Sequence, residues 1–204
     1  LNGSGTTTTI GGDFTINNSS TIINNGSGGS ARTLNIAGDL IMLSGQYNPM
    51  GIPGTNSISQ VTTINGNIYL SGSSKLYAAQ PKSGVGTGII NLKGNVYIQN
   101  PSTAVVLSGG AASKGSLILN GSSQQSFNID PSVTTGQYTI DSLTISNSNN
   151  VVLNSNLTLN NLTLTTGNII PGTYTLTVKG ATSGTGKIQN TASSVLEYSG
   201  TSAQ

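Results

Sequence analysis

Short runs in which apolar and polar residues alternate recur at a nearly constant interval through the first 121 residues. Each run surrounds a glycine, with an apolar residue two positions before it, Asp or Asn after it, and apolar residues two and four positions after it. The glycines recur at a nearly fixed period, and a period of this size indicates a solenoid. They are Gly12, Gly38, Gly66, Gly94 and Gly121, of which the last keeps only the front half of the pattern.

The alternation has the period of a β-strand, whose side chains point to opposite faces in turn. The apolar positions of a run therefore share one face, and a further apolar run such as Leu76-Tyr77 follows about ten residues later. About 27 residues and three strands per coil predict an all-β chain folded as a right-handed parallel β-helix (β-solenoid). The expected core includes Leu40, Met42, Ile68, Leu70, Val96 and Ile98.

The glycine and the residue after it predict a corner between two faces of the solenoid. A corner needs a positive φ or a tight backbone, and glycine adopts either without steric cost. Asp or Asn suits the turn because its side chain bonds nearby amides. We expect the four complete glycines to stack, and beside them Asp13, Asp39, Asn67, Asn95 and Ser122.

The chain reads as one continuous domain with two repeat styles. Residues 44–60 and 78–88 contain prolines and are predicted to be loops, so that 1–116 is a solenoid with long loops. Shorter Thr-rich runs continue the coils over 117–204. Residues 195–204 resemble 117–124, and neither end shows the polar cap that a solenoid needs. We therefore expect a segment of a longer protein.

The composition narrows the classes of partner. Only 6% of the residues are charged, against roughly 25% in typical domains, but recurring strand patterns argue against disorder. The net charge of +2 comes from scattered cations and aromatic residues are sparse, so we expect no nucleic-acid partner. No apolar run approaches the ~18 residues of a membrane span.

The sequence offers little chemistry for catalysis. It has no histidine and no cysteine, which excludes Ser–His–Asp and Cys–His arrangements and the usual nitrogen or sulfur metal ligands. Among the five carboxylates, only Asp13 and Asp39 fall at equivalent positions of adjacent coils. Each either caps its own turn or shares a Ca²⁺ ion with the other, with backbone and water oxygens completing the ligand set. No other cofactor is expected.

One outward row is a candidate binding surface. The residues three positions after each glycine are Thr15, Ile41, Tyr69 and Tyr97, and the two tyrosines are expected to stack one coil apart. Ile41, Tyr69 and Tyr97 form a cross-coil ladder that stabilises the sheet, a face covered by a loop, or a shallow aromatic platform. Such a platform suits a glycan or a neighbouring protein.

Threonine pairs suggest a further surface. Thr163 and Thr165, Thr175 and Thr177, and the run 6–9 resemble the flat threonine arrays of ice-binding solenoids. The alternative is the ordinary preference of β-branched residues for a sheet exterior.

The second half of the chain resembles a known family. Leu143-Thr144-Ile145, then 151–159 with Leu157-Thr158-Leu159, then Leu162-Thr163-Leu164, and finally Tyr174-Thr175-Leu176-Thr177-Val178 form a characteristic order. This order resembles the giant repetitive surface proteins of Bacteroidota, which are exported by type IX secretion and include adhesins. The resemblance is best over 117–204. It implies a secreted, extracellular protein at the cell surface and brings no site residues with it.

We therefore expect a non-catalytic structural or adhesive segment of a large surface protein. Its expected partners are cell-surface or environmental glycans, neighbouring surface proteins and further repeats of the same chain. The alternative is a carbohydrate-binding or carbohydrate-active β-helix, which a polar groove with clustered carboxylates and a base would favour. An ice-binding solenoid is the third interpretation.

Overall fold

The structure is a computed structural model that describes residues 7–24, 32–48, 59–79, 87–99, 105–109, 114–134 and 138–199. Every regular element in these ranges is a β-strand, and the strands form parallel ladders in stacked sheets. This all-β arrangement is compatible with the predicted solenoid. We call one passage of the chain through the successive sheets a coil.

Among the described residues, the first sheet has eight parallel strands, one from each coil. The residues two positions before the corner glycines point inward, since Ile36, Ile64 and Leu92 are fully buried. The register aligns them by pairing Ile36 with Ile64 and Ile64 with Leu92. In order, its strands are β1 (Thr7–Ile10), β3 (Arg32–Ile36), β5 (Ser59–Ile64), β8 (Thr87–Leu92), β11 (Lys114–Leu119), β14 (Ser142–Ser146), β17 (Asn161–Thr166) and β20 (Thr182–Gly184).

The second sheet has eleven strands within the described ranges, and they lie in two rows. The row after the corner glycines comprises β2 (Phe14–Asn24), β4 (Leu40–Asn48), β6 (Ile68–Leu70), β9 (Val96–Ile98), β12 (Gln125–Ile129), β15 (Val151–Leu153), β18 (Asn168–Ile170) and β21 (Lys187–Ile188). The other row comprises β7 (Lys75–Ala79), β10 (Val105–Gly109) and β13 (Tyr138–Ile140).

Strand β4 joins the two rows. Its first residues pair with β6, whereas Gln46 and Tyr47 pair with β7. A third sheet continues the shorter row, because the Asn160 amide donates to the Ile140 carbonyl at 2.9 Å. Its strands are β16 (Leu157–Leu159), β19 (Thr175–Val178) and β22 (Val195–Tyr198).

The length of a coil changes along the chain. In the first sheet, Ile36 pairs with Ile64 and Ile64 pairs with Leu92, which matches the period of the corner glycines. Farther along the same sheet, Ile145 pairs with Leu164 and Leu164 pairs with Gly184, so the sequence advances much less from one coil to the next. The later coils are therefore shorter than the glycine period predicts, because the corners between their strands contain few residues.

The predicted core is confirmed. Residues two and four positions after the corner glycines have no exposed surface in the second to fourth coils, and they join the residues before those glycines in one hydrophobic cluster. Phe14 and Ile10, in the first coil, are only half-buried. The confirmed core residues are Leu40, Met42, Ile68, Leu70, Val96 and Ile98.

The predicted glycine stack is also confirmed. The amides of Gly38, Gly66 and Gly94 donate to the carbonyls of Gly12, Gly38 and Gly66 at 3.1, 2.9 and 3.0 Å. The close approach of successive backbones explains why these positions are glycine, because a Cβ on Gly66 would lie 2.7 Å from the Gly38 carbonyl oxygen. None of these glycines has a positive φ.

The predicted loops begin later than expected. Residues 44–48 continue β4 around a corner, because Gly45 takes a φ of 86° that favours glycine. Tyr47, assigned to a loop by the sequence, is fully buried in the core. Residues 59–60, 78–79 and 87–88 also belong to strands, and the centres of both predicted loops lie outside the described residues.

The resemblance between 195–204 and 117–124 does not reflect equivalent positions over 195–199, and residues 200–204 lie outside the described residues. Leu117–Leu119 lies in the first sheet, whereas Val195–Tyr198 lies in the third. The shared alternation of apolar residues suits a strand on either face, so the pattern alone does not identify the sheet.

Candidate binding groove beside a tyrosine stack

The corner Asp and Asn residues connect successive coils. Oδ1 of Asp13 accepts the Asp39 amide at 2.8 Å, and Oδ1 of Asp39 accepts the Asn67 amide at 2.6 Å. Asn67 and Asn95 continue the row, since their Oδ1 atoms accept the next coil's amide at 2.8 Å. We call this row of corner Asp and Asn residues the Asx ladder. The prediction that each residue caps its own turn is therefore wrong. The amide of the next coil is within reach because stacked strands are only ~4.8 Å apart.

The fifth member of the ladder is Ser126 rather than the predicted Ser122. Extra residues enter the corner of the fifth coil, and the buried Gln125 fills it. Its Oε1 accepts the Gly121 amide at 2.8 Å, and its Nε2 donates to the Leu92 carbonyl at 3.0 Å. Ser122 is exposed instead.

The two candidate calcium ligands, Asp13 and Asp39, are neighbours in the structure. One oxygen of each of Asp13 and Asp39 already accepts a backbone amide. Within the described part of the chain, no three acidic residues lie close enough to hold a metal ion. Calcium prefers six to eight oxygen ligands, so this pair would depend on backbone and water oxygens for most of them.

The other carboxylates are bonded to their own surroundings. Asp130 Oδ1 accepts the Ser132 hydroxyl at 2.6 Å and the Ser132 amide at 2.8 Å, and these bonds hold the pKa of Asp130 below its usual value. Asp141 Oδ1 accepts a hydrogen from the Asn160 side-chain Nδ2 at 2.7 Å, and Glu197 accepts the Thr177 hydroxyl at 2.9 Å.

The outward row forms the predicted stack. The register pairs Ile41 with Tyr69 and Tyr69 with Tyr97. The two tyrosine rings are nearly parallel, with an interplanar angle of 8° and centroids 4.7 Å apart. All three side chains are half-buried rather than fully exposed. Partial burial, together with the negative charge of Asp39, raises the pKa of the Tyr69 phenol. Whether this row binds a partner stays a prediction.

The stack ends at Tyr97. Its register partner in the fifth coil is Asn128, whose side chain is too short to continue the stack. The Asn128 side-chain nitrogen, Nδ2, donates to the Val96 carbonyl at 3.1 Å and to the Ser126 hydroxyl at 2.9 Å. Its Oδ1 accepts a hydrogen from the Asn154 side chain at 2.8 Å. Asn128 is therefore tied to the sheet.

A shallow groove of about 210 Å³ lies at this end of the stack. Among the described residues that line it, Asp130 carries the only charge, and the side chains of Gln99 and Asn154 are exposed. The groove is lined by Tyr97, Gln99, Asn128, Ile129, Asp130, Pro131 and Asn154. It combines one aromatic ring, one carboxylate and several amides.

No family model, curated protein or solved structure matches this chain. The resemblance to Bacteroidota surface proteins therefore stays a prediction.

The threonine pairs do not form one array. Thr163 lies in the first sheet and Thr177 in the third, so they face different directions. Thr163 also shares a hydrogen bond with Ser183 at 3.2 Å, as expected of an ordinary sheet exterior.

The described residues contain no helix long and apolar enough to cross a membrane.

Sequence reasoning found the tyrosine row but missed the groove. Asn128, the register partner of Tyr97, lies farther along the chain than the glycine period predicts, because the fifth coil carries extra residues before β12. The signal that could have shown this is the second apolar pair, Phe127 and Ile129, which restores the strand alternation after the interruption.

Proposed function

We propose that this chain is a non-catalytic structural and adhesive segment of a large secreted protein at the cell surface. Its fold in this proposal is a right-handed parallel β-helix with about 27 residues per coil in its longer, earlier coils. The parallel registers and three strand positions of a coil support this architecture. The resemblance of residues 117–204 to surface proteins of Bacteroidota supports the proposed location at the cell surface.

The observation that supports a structural role best is the Asx ladder. Each of the first four coils supplies a side-chain oxygen, from Asp13 to Asn95, that accepts a backbone amide of the next coil, and the last of these amides belongs to Ser126. Later coils repeat the device, because Asn150 accepts the Asn168 amide and Asn168 accepts the Lys187 amide. Bonds of this kind stabilise the stacking of neighbouring coils.

The hydrogen bonds made by the carboxylates support the non-catalytic part of this proposal. General acid–base chemistry needs groups within hydrogen-bond reach of one substrate, and glycosidases need two carboxylates about 5–9 Å apart across it. Asp13 and Asp39 instead hold backbone amides, and Asp130 holds its own turn.

Adhesion would come from many weak contacts. Linked copies of the chain gain avidity of about 10²–10⁴ when they engage one target together. The proposed partners are glycans or neighbouring surface proteins, and further repeats of the same chain.

The adhesive role is tested with beads that carry either one copy or two tandem copies of the chain. Immobilised cellulose, chitin and peptidoglycan are the target surfaces, and one copy fused to an unrelated domain of equal mass is the control. We expect the tandem beads to adhere at least about tenfold better than the single copy. Equal adhesion of all three, or none on any surface, contradicts the role.

The absence of catalysis is tested by incubating the same polysaccharides with the protein and measuring new reducing ends. We expect none above the blank. Cleavage that disappears in Asp13→Asn, Asp39→Asn or Asp141→Asn would replace this proposal with the carbohydrate-active alternative.

A further inference from the structure

The open face of Tyr97 is a ready contact for a flat ligand. Tyr69 covers one face of the ring, with the rings nearly parallel and their centroids 4.7 Å apart. The other face points toward the fifth coil, where Asn128 is the register partner. An aromatic face carries negative charge density and attracts weakly positive C–H groups.

The floor of the groove is fixed. Asn128 makes hydrogen bonds through both its amide nitrogen and its oxygen, to Val96, Ser126 and Asn154. It therefore cannot swing up to cover Tyr97 without losing these bonds. A ligand that occupies the space does not have to displace a side chain of this row.

Polar groups surround the open ring. The Gln99 side chain is exposed and makes no hydrogen bond within the described part of the chain. Asp130 uses Oδ1 for Ser132, whereas its Oδ2 makes no hydrogen bond to the described residues. An amide that donates and accepts, beside a carboxylate that only accepts, matches a ligand rich in hydroxyl groups.

The size and charge restrict the ligand further. The groove of about 210 Å³ is smaller than the roughly 300–1,000 Å³ of pockets for drug-sized molecules, so it suits a single ring. Asp130 is the one charge among the described lining residues and would repel an anion. A neutral pyranose has an apolar C–H face, a rim of hydroxyls and no charge.

We propose that the groove between Tyr97 and Asp130 binds one pyranose ring of a neutral polysaccharide. The ring stacks on the open face of Tyr97, and its hydroxyls bond to Gln99 and to Asp130 Oδ2. Tyr69 is a positioning residue that supports the Tyr97 ring from behind. This inference rests on the proposed function, because it names the ligand class of a surface that binds without cleaving.

The test is a titration of the whole chain with cellotetraose, chitotetraose and, as the anionic probe, tetragalacturonate. NMR chemical shifts report both the affinity and the residues in contact. We expect a neutral probe to bind in the millimolar range and to shift resonances of Tyr97, Gln99 and Asp130. The anionic probe is expected to bind more weakly.

The variants separate stacking from folding. Tyr97→Ala should weaken binding by roughly tenfold or more, whereas Tyr97→Phe should retain it because the ring remains. Tyr198→Ala, which removes an exposed tyrosine from the third sheet, is the matched control and should bind normally. Asp130→Asn keeps an oxygen for Ser132 but should reduce the preference for neutral over anionic probes.

Failure of the site and failure of the proposed function give different results. Undiminished binding in Tyr97→Ala, tighter binding of tetragalacturonate, or no binding of any probe overturns the pyranose site, while the tandem-bead assay still decides adhesion. Binding at Tyr97 followed by cleavage of the oligosaccharide upholds the site and overturns the non-catalytic function.

Discussion

A single side-chain oxygen is the smallest unit that connects two coils. Asn95 Oδ1 accepts the Ser126 amide, and Asp39 Oδ1 does the same for Asn67. Because both Asp and Asn occupy this position, the acceptor oxygen rather than the charge is what the position requires.

We expect Asn95→Ala to lower the free energy of unfolding by about 1–3 kcal/mol, because the half-buried Ser126 amide loses its acceptor. Asn95→Asp keeps an oxygen and should stay within about 0.5 kcal/mol of the parent. Urea unfolding and hydrogen exchange of the Ser126 amide measure both effects. Equal losses of unfolding free energy in the two variants would show that the acceptor oxygen of Asn95 is not what stabilises the fold.

Tyr47 makes stability sensitive to alkaline pH. Burial raises the pKa of its phenol well above the ordinary 10.0, while its hydrogen bond with Thr62, 2.9 Å long, opposes the shift only in part. The folded state therefore favours the neutral phenol. Its contribution to stability is fully present below pH 10 and is lost as the pH rises from there toward the raised pKa.

We expect Tyr47→Phe to flatten the loss of stability as the pH rises above about 10, measured as urea midpoints. At neutral pH the variant should be less stable by about 1–3 kcal/mol, because the buried Thr62 hydroxyl loses its partner. Adding Thr62→Val should recover part of this loss. An unchanged alkaline slope in Tyr47→Phe would assign the sensitivity to other groups, such as Tyr77, whose pKa burial also raises.

At the scale of elements, the first-sheet corners of the first four coils are set by close approach of successive backbones rather than by unusual dihedral angles. Their glycine amides and carbonyls bond from coil to coil, and the next strand starts two residues after each glycine. Positive φ values occur at the matching corners of later coils, at Asn150 and Gly167, and between the two rows of the second sheet, at Gly45 and Gly72.

The stack predicts that Gly66→Ala lowers the free energy of unfolding by about 1–3 kcal/mol, since the new Cβ overlaps the backbone of Gly38. Gly12→Ala is the matched control, because a Cβ there meets nothing within 4 Å. The control should be neutral or slightly stabilising. Thermal unfolding of both variants is the measurement. Similar losses of stability in the two variants would show that the change in backbone conformational preference, rather than the overlap with Gly38, destabilises the fold.

The sequence predicted the strands, the core and the glycine stack because these follow from a local period. It could not predict that Asp39 bonds to the next coil, since a side chain's partner depends on how far apart the coils stack. It missed Tyr47 because prolines nearby suggested a loop while Gly45 carries the strand around a corner. The groove beside Tyr97 depends on a shift of register in the fifth coil that local alternation hides.

At the scale of the whole molecule, the buried residues that the structure describes form one hydrophobic cluster from Ile16 to Val178. Eight strands of the first sheet, stacked at ~4.8 Å, give an axial rise of about 34 Å. Coils far apart along this axis share no contact, so a local defect should weaken mainly its neighbours.

Ile68→Ala tests this expectation. We expect amide protection in β4, β6 and β9 to fall by about 2–5 kcal/mol, because a fully buried side chain leaves a cavity. Protection in β19, four coils away, should change little. Leu43→Ala, at a side chain that is 44% exposed, is the control and should cost less than about 1 kcal/mol. Uniform loss of protection in every strand would instead show one cooperative unit.

The Asx ladder also gives the molecule a direction of growth. In every described pair the earlier coil supplies the side-chain oxygen and the later coil supplies the amide, as in Asp13 with Asp39 and Asn168 with Lys187. A folded coil thus presents a prepared template of acceptors to the coil synthesised after it. Since chains emerge from the N-terminus, vectorial folding can add each coil to the last without waiting for the end of the chain.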